Sequence, residues 1–345
     1  MIPRVSVCVP NLNTLPFLKE RFETIFSQTF QDWELFVYDS HSDDGSWEYL
    51  QELASKEPRM RLVQGPRAGP YPAWNECVRQ TRGEYIYIAT SDDTMAPDCL
   101  EKMVGALDRN PSCDLSHCPL RIIDYVGRIL ENSKWPDGTV FGYGIGDLVG
   151  QSHVRKAPYD GLLHLTGRHV YLSITQLLIR RPIFSRIGDF QSTWGSISDF
   201  NWEMKAGLVA DVIHVSDTWA SWRKHPKQLT ASVKIFSANR DEQIEDMIND
   251  ALITCQPHLS PSVAIGLNDW RDSSRIMRAY YAKLRRQPNM VFRRLFQIME
   301  CIRGNPAVRS EIIGRLLLKT KWTERVPVEI RNWLQSLGIE PVKRQ

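Results

Sequence analysis

The chain has 345 residues, more than a single compact domain usually contains, so we expect one large domain with an appendage, or two domains. Hydrophobic residues make up 42% of the chain and charged residues 24%, a composition typical of a folded globular protein that gives no indication of disorder. The net charge of +3 is unevenly distributed: residues 271–345 hold 17 Lys and Arg against 6 Asp and Glu, a net +11, which leaves −8 for residues 1–270. Such a basic tail points to a polyanionic surface as its partner.

The sequence shows no signal for secretion, membrane insertion or a disulfide framework. Its first residues lack a long apolar stretch after a basic start, and no run reaches the ~18 apolar residues that a membrane helix needs. Seven cysteines, an odd number without a Cys-x-x-Cys pair, favour a reducing compartment. We therefore expect a cytoplasmic protein in which Cys113 and Cys118 are core thiols rather than metal ligands with His117.

Strand and helix signals alternate at short intervals along the first 110 residues. Aromatic and β-branched runs predict strands at Val5–Val9, Trp33–Tyr38, Met60–Val63 and Tyr85–Ala89. Apolar residues at helical spacing predict helices at Phe17–Phe30, Ser46–Leu53 and Ala73–Gln80. This alternation predicts an α/β fold with a mostly parallel sheet and helices on both faces.

The pattern changes twice after residue 110. It becomes irregular from about residue 111, with a loop and a glycine-rich stretch between residues 135 and 150 that is typical of a substrate lid. A strand and helix signal returns at Ile174–Ile179 and Pro182–Ile187, and after about residue 236 only helical signals remain. We predict a catalytic domain over residues 1–235, with halves 1–110 and 111–235, followed by a basic helical region over 236–345.

Two adjacent carboxylates, Asp92 and Asp93, follow the fourth predicted strand. The carboxyl ends of strands in an open α/β sheet form the crevice where ligands bind. Carboxylate oxygens at such a place suit magnesium or manganese, which usually also hold substrate phosphates. The alternative is a solvated turn that merely starts the next helix, and the dipeptide alone favours this alternative.

Five segments follow one another in a recognisable order. They are Val5-Ser-Val-Cys-Val-Pro-Asn-Leu-Asn13, Phe26-Ser-Gln-Thr-Phe30, Trp33-Glu-Leu-Phe-Val-Tyr-Asp-Ser-His-Ser-Asp-Asp-Gly-Ser46, Gly83-Glu-Tyr-Ile86 and Ser91-Asp-Asp-Thr-Met-Ala-Pro-Asp98. In this order they resemble the family 2 glycosyltransferases of the GT-A fold, and the resemblance extends over roughly residues 3 to 230. It implies a Rossmann-like mixed sheet flanked by helices, here with a C-terminal helical extension, and an inverting glycosyltransferase of the bacterial polysaccharide type.

The resemblance implies that the first crevice binds a nucleotide-sugar donor, most often a UDP-sugar. Pro10 and Asn11 match positions that meet the base and ribose, and Asp39 matches the acid that accepts a hydrogen bond from the nucleobase. Arg67 and Arg223 are candidates to clamp the diphosphate. Outside this resemblance, Asn11 is readily interpreted as a turn residue and Asp39 as a helix cap.

The resemblance also implies a divalent cation, Mn²⁺ or Mg²⁺, which would stabilise negative charge on the leaving diphosphate. Asp92 matches the metal ligand, with Asp93 as its helper, while Thr90 stands where the first acid of the motif usually lies. His225, within Trp219-Ala-Ser-Trp-Arg-Lys-His-Pro-Lys-Gln-Leu-Thr230, matches a histidine that ligates the metal or touches the donor phosphates.

The catalytic base is the last element that the resemblance implies. Asp199, within Ser198-Asp-Phe-Asn-Trp-Glu203, matches an acid at the start of a helix that takes the proton from the acceptor hydroxyl. An N-cap role for Asp199 is compatible with this one, and Glu203 is a weaker candidate for the base.

The acceptor is expected to be a glycan or a lipid-linked glycan used in surface polysaccharide biosynthesis. Four aromatic residues either stack on sugar rings or belong to the core, namely Trp135, Trp194, Trp202 and Tyr171. Arg168 and His169 are candidates to contact an acidic acceptor.

The basic tail has two interpretations. It either lies on an anionic membrane, which would make the enzyme peripheral on the inner face of the cytoplasmic membrane, or packs on the catalytic domain with a solvated basic face. Nucleic acid is not expected as a partner, because no nucleic-acid module is recognised.

Two other functions compete with glycosyl transfer. A nucleotidyltransferase usually has a glycine-rich basic loop after the first strand, and Asn11-Leu-Asn-Thr14 occupies that place here. A glycosyltransferase-like scaffold that binds without turnover is favoured by Thr90 and disfavoured by the presence of Asp92, Asp199 and His225.

Overall fold

The computed structural model describes residues 2–130, 145–166, 170–226, 228, 238–272 and 322–344. Its strands are β1 (Val5–Asn11), β2 (Trp33–Asp39), β3 (Met60–Gln64), β4 (Tyr85–Ile88), β5 (Cys113–His117), β6 (Leu120–Ile123), β7 (His153–Arg155), β8 (Leu177–Arg180), β9 (Asp211–His214), β10 (Ala220–Arg223) and β11 (Val342–Arg344). Its helices are α1 (Leu15–Phe26), α2 (Ser46–Lys56), α3 (Pro70–Gln80), α4 (Cys99–Arg109), α5 (Tyr159–Leu165), α6 (Ile183–Ile187), α7 (Ser198–Val209) and α8 (Ala238–Cys255). Further helices cover 261–272 and Trp322–Ser336.

The strands form a nine-stranded mixed sheet in the order β11-β7-β9-β5-β8-β4-β1-β2-β3, with β10 and β6 paired in a separate small sheet. The half built from β3, β2, β1 and β4 is entirely parallel. Strand β8 then pairs antiparallel with both β4 and β5, which joins the two halves of the molecule. The parallel half places the ends of β1, β2 and β4 at one edge, where an open α/β sheet forms its ligand crevice.

The predicted elements of the first 110 residues are confirmed, with shifted helix boundaries. Helix α1 begins at Leu15 and ends at Phe26, where Ser27 caps it, so it is shorter than predicted. Helix α3 begins at Pro70, because proline is tolerated in the first turn of a helix, where its missing N–H would have no partner. Gly69, just before it, adopts a φ of 101°, a conformation that favours glycine.

Six strands were not expected from the sequence, namely β5, β6, β7, β9, β10 and β11. Strands β5 and β6 lie in a stretch interpreted as irregular, and both are short and carry polar residues. The expectation that no strand follows residue 236 is wrong, because β11 pairs antiparallel with β7 at the edge of the sheet. Its two exposed basic residues suit an edge strand, where charge discourages pairing with other chains.

Helices cover both faces of the sheet. One apolar core contains residues of α1, α2 and α4, and the other contains residues of α3, α5, α7 and α8. Ile330 and Leu334, in the helix Trp322–Ser336, are fully buried in the second core. The described end of the C-terminal region therefore packs on the α/β body, whereas the domain boundary at residue 235 stays a prediction.

Among the described helices, none combines the length and the apolar composition that crossing a membrane would require.

Candidate functional site

A cavity of about 340 Å³ opens at the carboxyl ends of the strands in the parallel half. It brings together residues from distant parts of the chain: Pro10, Asn11, Asp92, Asp93, Asp199 and His225. Six of the nine predicted site residues therefore share one cavity, and Asp39, Arg67 and Arg223 lie behind its walls. This cavity is the candidate active site.

The loop after β2 is held to the end of β1 by buried hydrogen bonds. Asn11 Nδ2 donates to Asp39 Oδ1 at 2.7 Å and to Ser42 Oγ at 3.1 Å. Asp39 also accepts from the backbone N–H of Ser42 at 2.9 Å and from Gln64 Nε2 at 3.2 Å. The Asp39 carboxylate is fully buried, so in this structure it fixes the loop that borders the cavity.

Arg67 braces the same loop from outside the cavity. Its guanidinium donates to the carbonyl oxygens of Ser40 and His41 and to Asp43 Oδ2, the last at 2.7 Å. His41 adopts a φ of 53°, in the left-handed region that non-glycine residues rarely occupy. The contacts of Arg67 thus hold a strained turn, and its role as a phosphate ligand stays a prediction.

Asp92 and His225 meet inside the cavity. Asp92 follows β4 and His225 follows β10, and their Oδ2 and Nε2 atoms lie 2.9 Å apart. The His225 imidazole packs on the ring of Phe17, with centroids 4.7 Å apart. The backbone N–H of His225 donates to Gln228 Oε1 at 2.8 Å. The predicted pairing of these two residues is therefore present in the fold, and they offer one oxygen and one nitrogen ligand.

The described residues contain no group of three or more His, Cys, Asp and Glu side chains that would hold a metal ion by themselves. Magnesium and manganese sites of donor-binding enzymes usually need only one or two protein carboxylates, since substrate phosphates and water complete the coordination. The pair Asp92 and His225 fits a cation that is bound together with a diphosphate.

Asp93 is buried beside the cavity and is held by two donors. The Thr90 hydroxyl donates to its Oδ2, and the backbone N–H of Arg223 donates to its Oδ1 at 2.7 Å. Burial, and next the charge of Asp92, raises the pKa of Asp93 to about 8. Thr90, which stands where the motif usually has an acid, thus supplies the hydroxyl that fixes Asp93.

Arg223 links the backbone at Asp92 to helix α1. Its guanidinium donates to the Asp92 carbonyl oxygen at 2.6 Å, to the carbonyl oxygens of Asp124 and Tyr125, and to Glu20 Oε2 at 2.6 Å. The side chain is almost completely buried. In this structure its donors are directed to protein acceptors, and its role as a clamp on the donor phosphates stays a prediction.

Asp199 reaches the opposite wall of the cavity from the first turn of α7. A carboxylate at this end of a helix is stabilised by the helix dipole. Asp199 Oδ1 accepts a hydrogen bond from the hydroxyl of Tyr71 at 3.2 Å. Glu203, one turn later, is buried, and burial followed by the charge of Asp199 raises its pKa well above the ordinary value. A carboxyl that stays protonated is a poor base, so the structure favours Asp199 over Glu203.

The predicted acceptor residues are not brought to the cavity. Trp194, Trp202 and Tyr171 are core residues; Trp202 Nε1 donates to the Gly188 carbonyl oxygen, and Tyr171 donates to Asp160. The core alternative is therefore the correct one for these three. Trp135, Arg168 and His169 lie outside the described residues.

Sequence reasoning missed several residues that line the cavity, including Thr14, Tyr71, Trp74 and Trp222. Tyr71 is the most informative, because it touches the candidate base. Its contact joins residues 128 positions apart, and nothing in the local sequence pattern signals it.

The sequence profile of the family described as "Glycosyl transferase family 2" matches residues 6–140. This N-terminal part of the chain is therefore similar to the family 2 glycosyltransferases. The chondroitin synthase of Escherichia coli is 31% identical over 136 residues, which are 39% of this chain and 20% of that protein. The chain thus spans about a fifth of this relative's length.

Solved structures share the fold at low sequence identity. S. aureus TarS 1–349 in complex with UDP-GlcNAc has a TM-score of 0.58 and 15% identity, and the match covers 79% of this chain and 71% of the TarS 1–349 chain. GalNAc-T7 with UDP, GalNAc and Mn²⁺ has a TM-score of 0.51 and 14% identity, over 72% of this chain and 48% of that one. These likenesses confirm the predicted GT-A fold.

Proposed function

We propose that this protein is an inverting glycosyltransferase that moves a sugar from a nucleoside diphosphate sugar, in first place a UDP-sugar, to a hydroxyl of a glycan or lipid-linked glycan. The observation that carries the proposal is the convergence of Asn11, Asp92, His225 and Asp199 on one cavity. The family match over residues 6–140 and the chondroitin synthase among the relatives support a role in surface polysaccharide biosynthesis.

The donor would occupy the side of the cavity formed by the end of β1 and the loop after β2. Pro10 and Asn11 line this side, and Asp39, behind them, holds the loop in place. The nucleotide sugar in the TarS structure and the UDP in the GalNAc-T7 structure support a nucleoside diphosphate as the ligand class.

Asp92 and His225 would hold a divalent cation, Mn²⁺ or Mg²⁺, against the diphosphate. When bound, such a cation neutralises the charge that grows on the leaving diphosphate, which is worth several kcal/mol in reactions of this class. The Mn²⁺ in the GalNAc-T7 structure supports this assignment. Arg223 would act indirectly, because its guanidinium holds the Asp92 carbonyl oxygen and its backbone N–H holds the Asp93 carboxyl.

Asp199 would act as the general base. As the acceptor oxygen attacks the anomeric carbon, Asp199 takes its proton, and the bond from that carbon to the diphosphate oxygen breaks on the opposite face. The electron pair of this bond leaves with the diphosphate, so the configuration at the anomeric carbon inverts in a single displacement.

We propose residues 1–235 as the catalytic unit, and a peripheral position on the inner face of the cytoplasmic membrane as the setting for a lipid-linked acceptor. The basic composition of 271–345 supports the second proposal, although residues 273–321 of that tail lie outside the described part of the chain.

The experiment is a calorimetric titration of the protein with UDP, GDP, CDP and dTDP, with and without Mn²⁺, repeated on Asp92→Ala. We expect one nucleotide to bind in a Mn²⁺-dependent manner, and binding to weaken about 100-fold or more in the variant, because a charged metal ligand is lost. Equal affinity of the wild type and the variant would contradict the metal assignment. Absence of binding by every nucleotide would favour a scaffold without turnover.

A further inference from the structure

The first turn of helix α3 lines the cavity and contacts the candidate base, Asp199. It begins at Pro70, on the cavity wall, and carries Tyr71 one residue later. The Tyr71 hydroxyl donates to Asp199 Oδ1 at 3.2 Å, and the backbone N–H of Phe200 lies 3.0 Å from the same oxygen. Two donors on one oxygen restrict the rotation of the Asp199 carboxylate.

The ring of Tyr71 is itself fixed by aromatic packing. It meets the edge of Trp74 with centroids 5.2 Å apart, and Trp74 meets Phe190 in the same way at 5.1 Å. Phe190 belongs to the segment that leads into α7, and its backbone N–H and carbonyl oxygen both bond to the side chain of Asn75, at 3.0 and 2.8 Å. Helix α3 therefore anchors both Asp199 and the segment before it, so the position of Tyr71 is rigid relative to the base.

We propose that Tyr71 is the positioning residue of the catalytic base, whose hydroxyl orients the Asp199 carboxylate and stabilises its ionised form. The inference rests on the proposed function only in that Asp199 is taken as the base. A hydroxyl that donates to a carboxylate favours the charged state, because the protonated acid is the weaker acceptor.

The charges around Asp199 agree with this role. Burial, and next the charge of Asp199, raises the pKa of Tyr71, so its hydroxyl stays protonated and remains a donor. Glu203, on α7, has a strongly raised pKa and adds no negative charge at neutral pH. Asp92 and His225 line the same cavity from β4 and β10. The Tyr71 hydroxyl therefore donates to a carboxylate whose neighbour on α7 is uncharged.

The first test is the pH profile of kcat/KM for Tyr71→Phe. Loss of the donor destabilises the ionised carboxylate, so the acidic limb of the profile should move to higher pH by roughly one unit. At the pH optimum, kcat should fall about 10-fold because the base is less well oriented. The KM for the donor and the nucleotide affinity should stay within about 2-fold, because α3 still packs through the Tyr71 ring.

Tyr159→Phe is the matched control. It removes another buried tyrosine hydroxyl from the same apolar core, one that accepts a hydrogen bond from Arg331 and does not line the cavity. This variant should lose stability without any shift of the pH profile. An unshifted profile and unchanged kcat in Tyr71→Phe would overturn the inference.

Asp199→Asn separates this inference from the proposed function. If Asp199→Asn keeps wild-type turnover, the base assignment fails, and with it the role of Tyr71. If Asp199→Asn abolishes turnover while the pH profile and kcat of Tyr71→Phe equal those of the wild type, only the positioning role fails.

A second measurement needs no substrate. Melting temperatures of Tyr71→Phe, Asp199→Ala and the double variant at neutral pH form a double-mutant cycle. Made in the wild-type protein, Tyr71→Phe should lower the melting temperature, because the Asp199 carboxylate loses the hydroxyl that donates to it. In the Asp199→Ala background the same change should raise it, because it removes a buried hydroxyl left without that acceptor. Additive shifts would show that no coupling exists and would contradict the proposal.

Discussion

At the scale of single residues, the two arginines predicted as phosphate ligands illustrate why a motif alone does not assign a role. A guanidinium near a diphosphate site and one that braces the site's backbone have the same sequence signature. Both arginines hold backbone carbonyl oxygens here, but they differ in burial: the Arg223 side chain is only 1% exposed and bonds Glu20 and three carbonyl oxygens, whereas Arg67 is 44% exposed.

We expect Arg223→Met to lower the free energy of unfolding by about 3 kcal/mol, because Glu20 and three carbonyl oxygens lose a buried donor. Arg67→Met is the matched control and should cost about 1 kcal/mol or less, since its ion pair with Asp43 is exposed. Urea unfolding of both variants measures the difference. Equal losses would contradict the structural role of Arg223.

The choice of base is also decided at this scale. Asp199 and Glu203 lie one turn apart on α7, but only Asp199 lines the cavity, while burial keeps Glu203 protonated. Asp199→Asn should lower kcat by roughly 10² to 10⁴ without loss of nucleotide binding, as expected when a general base is removed. Glu203→Gln should keep kcat within about 10-fold. Steady-state kinetics with the preferred donor checks both, and a larger loss in Glu203→Gln would reverse the assignment.

At the scale of elements, the sequence predicts the parallel half well and the second half poorly, for a physical reason. Strands β1, β2 and β4 are covered on both faces, so they read as continuous apolar runs. Strand β5 ends in His117, β7 begins with His153 and β9 ends in His214, residues that conceal a buried strand from a pattern based on hydrophobicity.

These histidines form a buried polar cluster that joins the three strands. The Nδ1 atoms of His117 and His214 lie 2.9 Å apart, and His153 Nε2 lies 2.9 Å from Arg155, which is paired with Asp160. Burial is the main cause that lowers the pKa of His117 and His214 well below the ordinary value and that of His153 to about 4. The cluster is therefore neutral in the folded protein at neutral pH.

Acid should destabilise these strands. Between about pH 6.5 and pH 4 the unfolded chain binds protons at these histidines and the folded chain does not, so stability falls as the pH is lowered. Each histidine contributes about 1.4 kcal/mol per pH unit within that window. The loss on going from pH 7 to pH 5, measured by urea unfolding, should be about 1–2 kcal/mol smaller in His153→Gln than in the wild type. Equal pH dependence would show that His153 titrates normally in the fold.

At the scale of the whole molecule, the C-terminal end is part of the folded body rather than an independent appendage. Strand β11 extends the sheet beyond β7, and Ile330 and Leu334 are buried in the core that also holds α5, α7 and α8. The basic composition of the region favoured a surface role and concealed this packing, because composition does not show which positions of a helix are buried. The core packing predicted as one alternative is seen for the described residues of the tail.

Leu334→Ala should therefore lower the free energy of unfolding of the whole protein by about 2–4 kcal/mol, since it opens a cavity in a shared core. Val328→Ala, in the same helix but 42% exposed, should change it by less than about 0.5 kcal/mol. Thermal unfolding should show one transition in both variants. A separate early transition in Leu334→Ala would mean that the C-terminal region unfolds independently of the body.

The central claim is that Asn11, Asp92, His225 and Asp199 form one site for direct sugar transfer. The anomeric configuration of the first product tests it most directly, by proton NMR during turnover of the nucleotide sugar whose nucleotide binds best. The account predicts that the sugar appears on its acceptor, or on water, with the configuration opposite to that in the donor, and that Asp199→Asn abolishes its appearance. A product that retains the donor configuration, or one formed equally fast by Asp199→Asn, would contradict the account.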